Sequence, residues 1–437
     1  MQKYIKFSYL QILFYYITTS RFFSGRFFVF QKRRITFAVQ FTDDFRHYCA
    51  PITLTAKWTA THTVAFNSDG GSAVPAQTIR DGNKVNRPAN PTKAWTAASG
   101  LYLGTPPTTG NYTFDGWYYG ATLWNFDNAV TQNITLTARW SITGSFTRIE
   151  SVLSNDVTGA FAYVNANANY EDEYTLLLGT NVAIGGQTLN AAAKLIIMGI
   201  GEERSITVAN YATQLFLIDG NNATNLTFGQ NITLNNNSGT SVVSVRRGIL
   251  TMCNGSKVTG FGGSSGTGWS AVSAEGSNAT FKMEGGEISG NNSFLYNSGT
   301  CVQVYNGATF EMSGGSISGN NNWAHDLNIG HDCTFRMSGN ARIGTLALVA
   351  SDATRSSINI VGSYNGTVTR LHLRGYSYWD AYPNTVISWW TNALLIVNGT
   401  TNVINMFNNC LGNFAYSTPI TATHVLNSSG RLVLREN

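Results

Sequence analysis

Charge is the scarcest ingredient of this 437-residue chain, since Asp, Glu, Lys and Arg make up only 12% of it. The formal net charge of +5 misleads. Lys3, Lys6, Arg21, Arg26, Lys32, Arg33 and Arg34 all precede the first acid, Asp43, and the rest of the chain holds slightly more acid than base. A nucleic-acid groove needs clustered Lys and Arg, and here only small pairs such as Arg246-Arg247 occur, which argues against that partner. The five cysteines, Cys49, Cys253, Cys301, Cys333 and Cys410, follow no Cys-x-x-Cys spacing, so neither a zinc site nor a disulfide framework is legible. Cys301 opens Cys-Val-Gln-Val and Cys333 precedes Phe-Arg-Met, positions where a small buried apolar group accounts for them; a single disulfide in an oxidising compartment stays open. No Gly-x-Ser-x-Gly elbow opens a helix, and no glycine-rich phosphate loop with its Lys follows a strand. The nearest approach, Gly262–Gly268, lies between strand-like segments and reads as a lateral loop.

What fills the chain instead is Asn, Thr, Ser and Gly around a 43% hydrophobic content. That composition suits short strands and tight turns outside the cytoplasm, and the regularly spaced Val, Ile, Phe and Met argue against disorder. Asn-x-Ser/Thr triplets, as at Asn111 and Asn254, follow from composition and imply no glycosylation.

One motif recurs. Phe281-Lys-Met-Glu-Gly-Gly-Glu-Ile-Ser-Gly-Asn291 returns as Phe310-Glu-Met-Ser-Gly-Gly-Ser-Ile-Ser-Gly-Asn320 and frays into Phe335-Arg-Met-Ser-Gly339. The starts lie 29 and 25 residues apart, a period suited to one coil of a parallel β-helix. Four coils align on Val243-Ser-Val245, Val272-Ser-Ala274, Val302-Gln-Val304 and Leu327-Asn-Ile329, each followed by a frame ending at Met252, Met283, Met312 or Met337. Each i, i+2 pair faces inward and the residue between faces outward, so the four methionines are expected in one interior stack. Less regular coils extend upstream through Tyr174–Leu178, Leu195–Met198, Leu215–Ile218 and Asn231–Leu234, and downstream through Ser357–Ile360, Val368–Leu373 and Leu394–Val397, giving a rod over 145–437. The ends of such a rod need atypical covers, for which the aromatic tract Tyr376–Trp390 is a candidate. The pattern resembles the pectate-lyase-like right-handed β-helix superfamily.

Upstream, Thr63-Val-Ala-Phe66 leads into Asn67-Ser-Asp-Gly-Gly71, then Tyr112-Thr-Phe-Asp-Gly-Trp-Tyr-Tyr119, Trp124-Asn-Phe126 and Ile134-Thr-Leu-Thr-Ala-Arg-Trp140. Alternation places Val64, Phe66, Ile134 and Leu136 on one face of a small sheet, with Trp117 and Trp140 as core or rim pieces. This ordered pattern over 61–140 resembles the Listeria-Bacteroides repeat, a small β-grasp-like module of bacterial surface proteins. Residues 46–60 look like the tail of a truncated earlier copy. Ala94–Gly110 departs from the pattern and reads as a lengthened loop, which loop-closure entropy tolerates. The resemblance implies an extracellular spacer or display module, often in series, and names no catalytic residue.

Residues 1–45 admit two readings. Lys3 and Lys6, the apolar run Phe7–Ile17 and Thr18–Ser20 have the order of a signal peptide, with a run too short to span a bilayer. The rival is a misplaced start or a damaged first repeat, given the aromatic Phe22–Phe30 stretch and the missing Ala-x-Ala site.

Candidate chemistry is thin. Lys282, Glu311 and Arg336 would stack outward on consecutive coils as an alternating surface ladder, with an acidic-sugar role as the rival. Glu284 and Glu287 have Ser313 and Ser316 as repeat partners, which leaves no second acid from the next coil for glycoside hydrolysis. His325, Asp326, His331 and Asp332 are the densest His/Asp cluster, but strand geometry spreads them too widely for one metal, so they read as turn and surface residues. We therefore assign no catalytic, cofactor-binding or metal residue and expect no cofactor.

The expected fold is mainly β: small β-grasp-like repeat modules followed by a right-handed parallel β-helix solenoid. The expected function is a non-enzymatic, adhesin-like bacterial surface or secreted protein of the cell envelope or exterior. Its expected partner is an extracellular glycan or a surface protein, with oligomeric state left open. The competitor is a polysaccharide lyase or glycoside hydrolase with a lateral groove holding two or more acids beneath Lys or Arg, and the third class is a purely structural envelope component. Adhesion instead predicts aromatic and amide surfaces, for instance around Trp269, Trp323 or Tyr376–Trp390.

Overall fold

The computed structural model describes residues 59–209, 214–236, 241–262, 270–292, 300–320, 325–350, 357–375, 396–398, 401–410, 424–429 and 432–434. The signal-like segment 1–45, all but the end of the repeat tail at 46–60, Cys49, residues 263–268 of the glycine loop, Trp269, Trp323 and the tract Tyr376–Trp390 lie outside the described residues. The described chain forms two compact units, one from 59–69, 73–90 and 116–139, the other from 70–72, 91–115 and 140 onward.

The repeat builds a five-stranded sheet in the order Gln77–Arg80, Thr61–Asn67, Ile134–Ser141, Thr113–Tyr119, Thr122–Leu123. Thr61–Asn67 runs antiparallel to Gln77–Arg80 and parallel to Ile134–Ser141, with Val64 opposite Ile134 and Phe66 opposite Leu136. Val64, Ile134, Leu136 and Trp117 are buried, and Phe66 meets the Trp117 ring edge-on at 4.9 Å. The period-2 alternation therefore sorts the faces as expected.

The second unit is a β-solenoid of parallel strands in three stacks. The first runs through Ala279–Met283, Thr309–Met312 and Thr334–Gly339, the second through Val272–Glu275, Thr300–Tyr305 and His325–Ile329, and the third through Ser256–Thr259, Glu287–Ile288 and Ser316–Ile317. Pairing in the first stack sets Met252 against Met283, Met283 against Met312 and Met312 against Met337, all fully buried. The neighbouring inward column is Leu250, Phe281, Phe310, Phe335, with phenyl centroids 4.8 and 5.5 Å apart in stacked geometry. This register follows from the sequence directly, because a one-residue slip would turn Lys282, Glu311 and Arg336 into the core. The first stack extends upstream to Glu173–Leu178 and downstream to Ile396–Asn398. At the corner between the first and third stacks, Gly286 and Gly315 have φ near +80°. A Cβ on Gly315 would lie 2.7 Å from the carbonyl oxygens of Gly285 and Gly286, so the repeated Gly-Gly answers both the left-handed turn and the close approach of successive coils.

Both terminal regions of the solenoid carry non-solenoid elements, and two of these correct the sequence analysis. Ala94–Gly110 is not merely a lengthened loop. Gly100–Leu103 pairs antiparallel with Glu173–Leu178, Thr147–Arg148 pairs with it in turn, and Ala94–Thr96 pairs with Thr109–Asn111. Trp95, Tyr102 and Phe146 cover Leu177, Met198 and Ile200, apolar side chains on the outer face of the first coils. The segment is thus a cover for an edge strand, the place where an open sheet would otherwise present unpaired backbone groups. The second element is the helix Val157–Asn167. Its Val157, Ala160, Phe161 and Val164 follow the i, i+3, i+4, i+7 pattern and enter the solenoid core, Phe161 stacks on Phe216 at 5.5 Å, and Asp156 caps it by accepting from the Gly159 N–H at 2.8 Å. Near the other end, the helix Thr401–Cys410 buries Val403, Ile404 and Phe407 in the same core.

Candidate ligand-binding face

Several outward charges among the described residues of the solenoid pair with one another. Glu311 receives Arg336 Nη1 at 2.7 Å and lies 3.5 Å from Lys282 Nζ, which realises the alternating ladder on three coils. Lys257 sits 3.5 Å from Glu287, Lys194 donates to Glu173 at 3.0 Å, and Arg247 Nε donates to Asp219 at 2.7 Å. These are pairs between successive coils with half-exposed partners, worth about 0–1 kcal/mol each. Glu284 is exposed beside the Cys253 thiol at 4.0 Å, and Glu287 also accepts from the Ser289 hydroxyl. Glu284 and Glu287 do not converge with a further acid of the next coil, since Glu287 stands in register with Ser316.

The His/Asp cluster divides in a way that corrects the surface assignment. His325 and Asp326 are buried in the strand His325–Ile329, while His331 and Asp332 are at the turn after it, with His331 Nδ1 2.9 Å from Asp332 Oδ2. Asp326 ends an internal ladder of corner amides. Asn291 Nδ2 donates to Asn320 Oδ1 at 3.0 Å, Asn320 Nδ2 donates to Asp326 Oδ1 at 2.8 Å, and the Thr345 N–H donates to Asp326 Oδ2 at 2.8 Å. Burial pushes the Asp326 carboxyl up from the ordinary carboxylate range, and the bonds from Asn320 and Thr345 oppose that rise. The physical reason is local. A corner that turns inward leaves backbone N–H groups without strand partners, and Asn or Asp side chains satisfy them. The signal was the Asn closing each Ile-Ser-Gly-Asn repeat, at Asn291 and Asn320.

Among the described residues no group of three or more His, Cys, Asp or Glu side chains is arranged to hold a metal ion. Cys253, Cys301 and Cys333 are free thiols. Burial raises the Cys253 thiol, helped by Glu284, and burial likewise raises Cys333, so both stay protonated at neutral pH and are poor nucleophiles.

The second stack presents a different surface. Its outward row runs Ser244, Ser273, Gln303 on consecutive coils, the residues between the inward Val and Ala pairs. This row floors a hollow of about 110 Å3. Ser241, Ser270 and Gln214 stand at the start of its strands, and Arg246, Glu275 and Tyr305 at the far side. Ser273 donates to Ser244 and Ser270 to Gln303, each at 3.2 Å. Tyr305 donates its hydroxyl to Glu275 at 2.9 Å, and Asn306 donates to the other oxygen of the same carboxylate at 3.3 Å. Burial, then the Glu275 carboxylate, pushes the Tyr305 phenol up to about 12. Arg246 is exposed at the rim, with no hydrogen-bond or ion-pair partner among the described residues, whereas its neighbour Arg247 is bound to Asp219. We did not single out this constellation from the sequence. Its signal was the Ser, Ser, Gln series at equivalent outward positions, with Glu275 and Tyr305 two residues further along their strands.

Residues 62–139 match the Listeria-Bacteroides repeat domain. No curated protein and no solved structure matches the chain. Among the described residues no helix is long and apolar enough to cross a membrane.

Proposed function

We propose that this protein is a non-enzymatic, adhesin-like component of the bacterial cell envelope or exterior, in which repeat modules carry a β-solenoid that binds an extracellular glycan. In this reading the coil is right-handed, as parallel crossovers overwhelmingly are, and of the pectate-lyase-like class, and the repeat is β-grasp-like. The observation that carries it is the hollow on the second stack. Several outward ions of the solenoid are paired with the coil above or below, but here hydroxyls, amides and a guanidinium without an ion-pair partner among the described residues line one concavity. Such a set recognises polyols by mutual donation and acceptance.

The competing reading, a lyase or glycoside hydrolase, is favoured by one specific grouping, Arg246 with Glu275 and Tyr305 in the same hollow. Its chemistry is poor. A phenol held at about 12 is almost wholly protonated at neutral pH and cannot serve as a resting base, and Glu275 is one carboxylate where glycoside hydrolysis generally uses two. Glycan-array binding of the full chain, with incubation in pectins, alginates and host glycosaminoglycans, separates the two. Retention on glycans without new reducing ends or unsaturated products is expected, and turnover lost on changing Glu275 or Tyr305 would replace the adhesin reading with the enzyme.

A further inference from the structure

Resting on the glycan-binding reading above, we infer that the second-stack hollow recognises a single uncharged sugar ring, not an acidic or sulfated saccharide. Three observations converge on this. Arg246 and Glu275 contribute one positive and one negative charge to the same hollow, so it offers a polyanion no net attraction. A ligand carboxylate approaching Arg246 would also enter the field of the Glu275 carboxylate, whose two oxygens accept from Tyr305 and Asn306 on the same side of the hollow. Size is the second. A space of about 110 Å3 lies well below the roughly 300–1,000 Å3 of sites for drug-sized ligands, so it suits one ring and its nearest substituents.

The third observation is the kind of polar group present. Ser241, Ser244, Ser270 and Ser273 can each donate and accept, as can the Gln214 and Gln303 amides. Sugar hydroxyls have the same dual character, so every hydroxyl of an uncharged ring can be answered by rotating a side-chain hydroxyl instead of by placing a fixed charge. The existing bonds Ser273 to Ser244 and Ser270 to Gln303 hold the row in place while each oxygen keeps further capacity. Arg246 then donates to neutral oxygens at the rim, and Glu275 accepts from a hydroxyl.

Matched sugars differing only in oxidation at C6 test this on the full chain. Methyl β-glucoside with methyl β-glucuronide, and methyl β-galactoside with methyl β-galacturonide, are titrated by saturation-transfer NMR at low and moderate salt. We expect the neutral member of at least one pair to bind about tenfold or more tightly than its uronide, with little salt dependence. Gln303→Ala and Ser273→Ala should each weaken that binding about three- to tenfold with unchanged circular dichroism and melting, while Lys282→Ala, on another face, should leave it intact. Uronides binding as tightly as the neutral sugars, and losing affinity on Arg246→Ala, would overturn the inference while leaving the glycan reading standing. No signal from either member of either pair overturns the inference, and silence across a full glycan array overturns the wider reading as well.

Discussion

Met312→Asp puts the stacked core to a quantitative test. Met312 is 1% exposed, lies between Met283 and Met337 in one column, and follows the Phe281, Phe310, Phe335 column by two residues. Truncating such a side chain removes apolar burial and leaves a cavity, about 2–5 kcal/mol for Met→Ala in a well-packed site. The carboxylate adds a second penalty. Among these apolar neighbours it will protonate, and holding it protonated at pH 7, three pH units above its ordinary value, costs about 4 kcal/mol. The combined loss of about 6–9 kcal/mol is comparable with the whole stability of many domains, roughly 5–15 kcal/mol. Because each coil touches mainly its neighbours, the damage should centre on 281–283, 309–312 and 334–337. Urea unfolding followed by hydrogen exchange across these strands measures it, with Met312→Ala and Met312→Leu alongside. The sign with pH is fixed: a carboxyl whose folded pKa is raised is least costly when protonated, so the gap between Met312→Asp and Met312→Ala should shrink to about 1 kcal/mol or less near pH 4.5. Wild-type exchange in those strands, or a gap that stays constant between pH 4.5 and 7, would refute the interior stack.

Three further outcomes follow from the same structure. Asp326→Ala should cost about 2–4 kcal/mol in urea unfolding, since it strands the Asn320 amide and the Thr345 N–H. Burial raises the folded Asp326 pKa, so its titration makes wild-type stability greatest below the ordinary carboxylate range and erodes it as pH rises through the folded value; Asp326→Ala should lack that component, and identical pH slopes would contradict the burial argument. Leu101→Asp places a charge at a fully buried cap position and should loosen the pairing of Gly100–Leu103 with Glu173–Leu178, seen as concentration-dependent association in light scattering, whereas a monomer at all concentrations would mean that the edge needs no cover. Glu311→Lys sets three cations in a row and should lower stability by about 1–2 kcal/mol at low salt and less at 0.5 M, with a salt-independent effect counting against the ladder.

The interior of the regular coils was legible because its physics is local and periodic. Phe-x-Met and Val-x-Val frames declare their inward faces by alternation alone, and equal spacing stacks like on like. The ends were not legible, for the opposite reason. Nothing in Gly100-Leu-Tyr-Leu103 states that its partner is Tyr174–Leu177, because that pairing bridges some 70 residues and is set by the need to cover an edge. The helix at 157–167 carried a readable i, i+3, i+4, i+7 pattern, but only eleven residues of it, within an Asn- and Ala-rich stretch that dilutes the apolar face. Strand spacing, which separates the two His/Asp pairs, says nothing of the burial of Asp326, because that depends on a corner amide six residues earlier and a backbone N–H nineteen residues later. The hollow fared similarly. Its outward Ser and Gln were identifiable as outward, but Arg246, Glu275 and Tyr305 come together only when three coils are stacked.

Near-identical coils carry a hazard that the polar positions counter. The inward residues of 281–283, 310–312 and 335–337 are the same Phe and Met in all three, so apolar packing alone barely distinguishes a coil stacked on its true neighbour from one stacked on the next but one. The outward middle residues do distinguish them. In the native order Glu311 lies between Lys282 and Arg336, but omitting the middle coil would set Lys282 directly against Arg336, replacing two attractions with a repulsion. The third stack acts in the same sense, since Lys257 faces Glu287 in register and would face Ser316 after a skip. Each contact is worth little to the folded state in water. Their value lies in the difference between correct and skipped stacking, where the loss of the attractions and the gain of a repulsion add, and where the uniform Phe and Met columns supply no discrimination of their own.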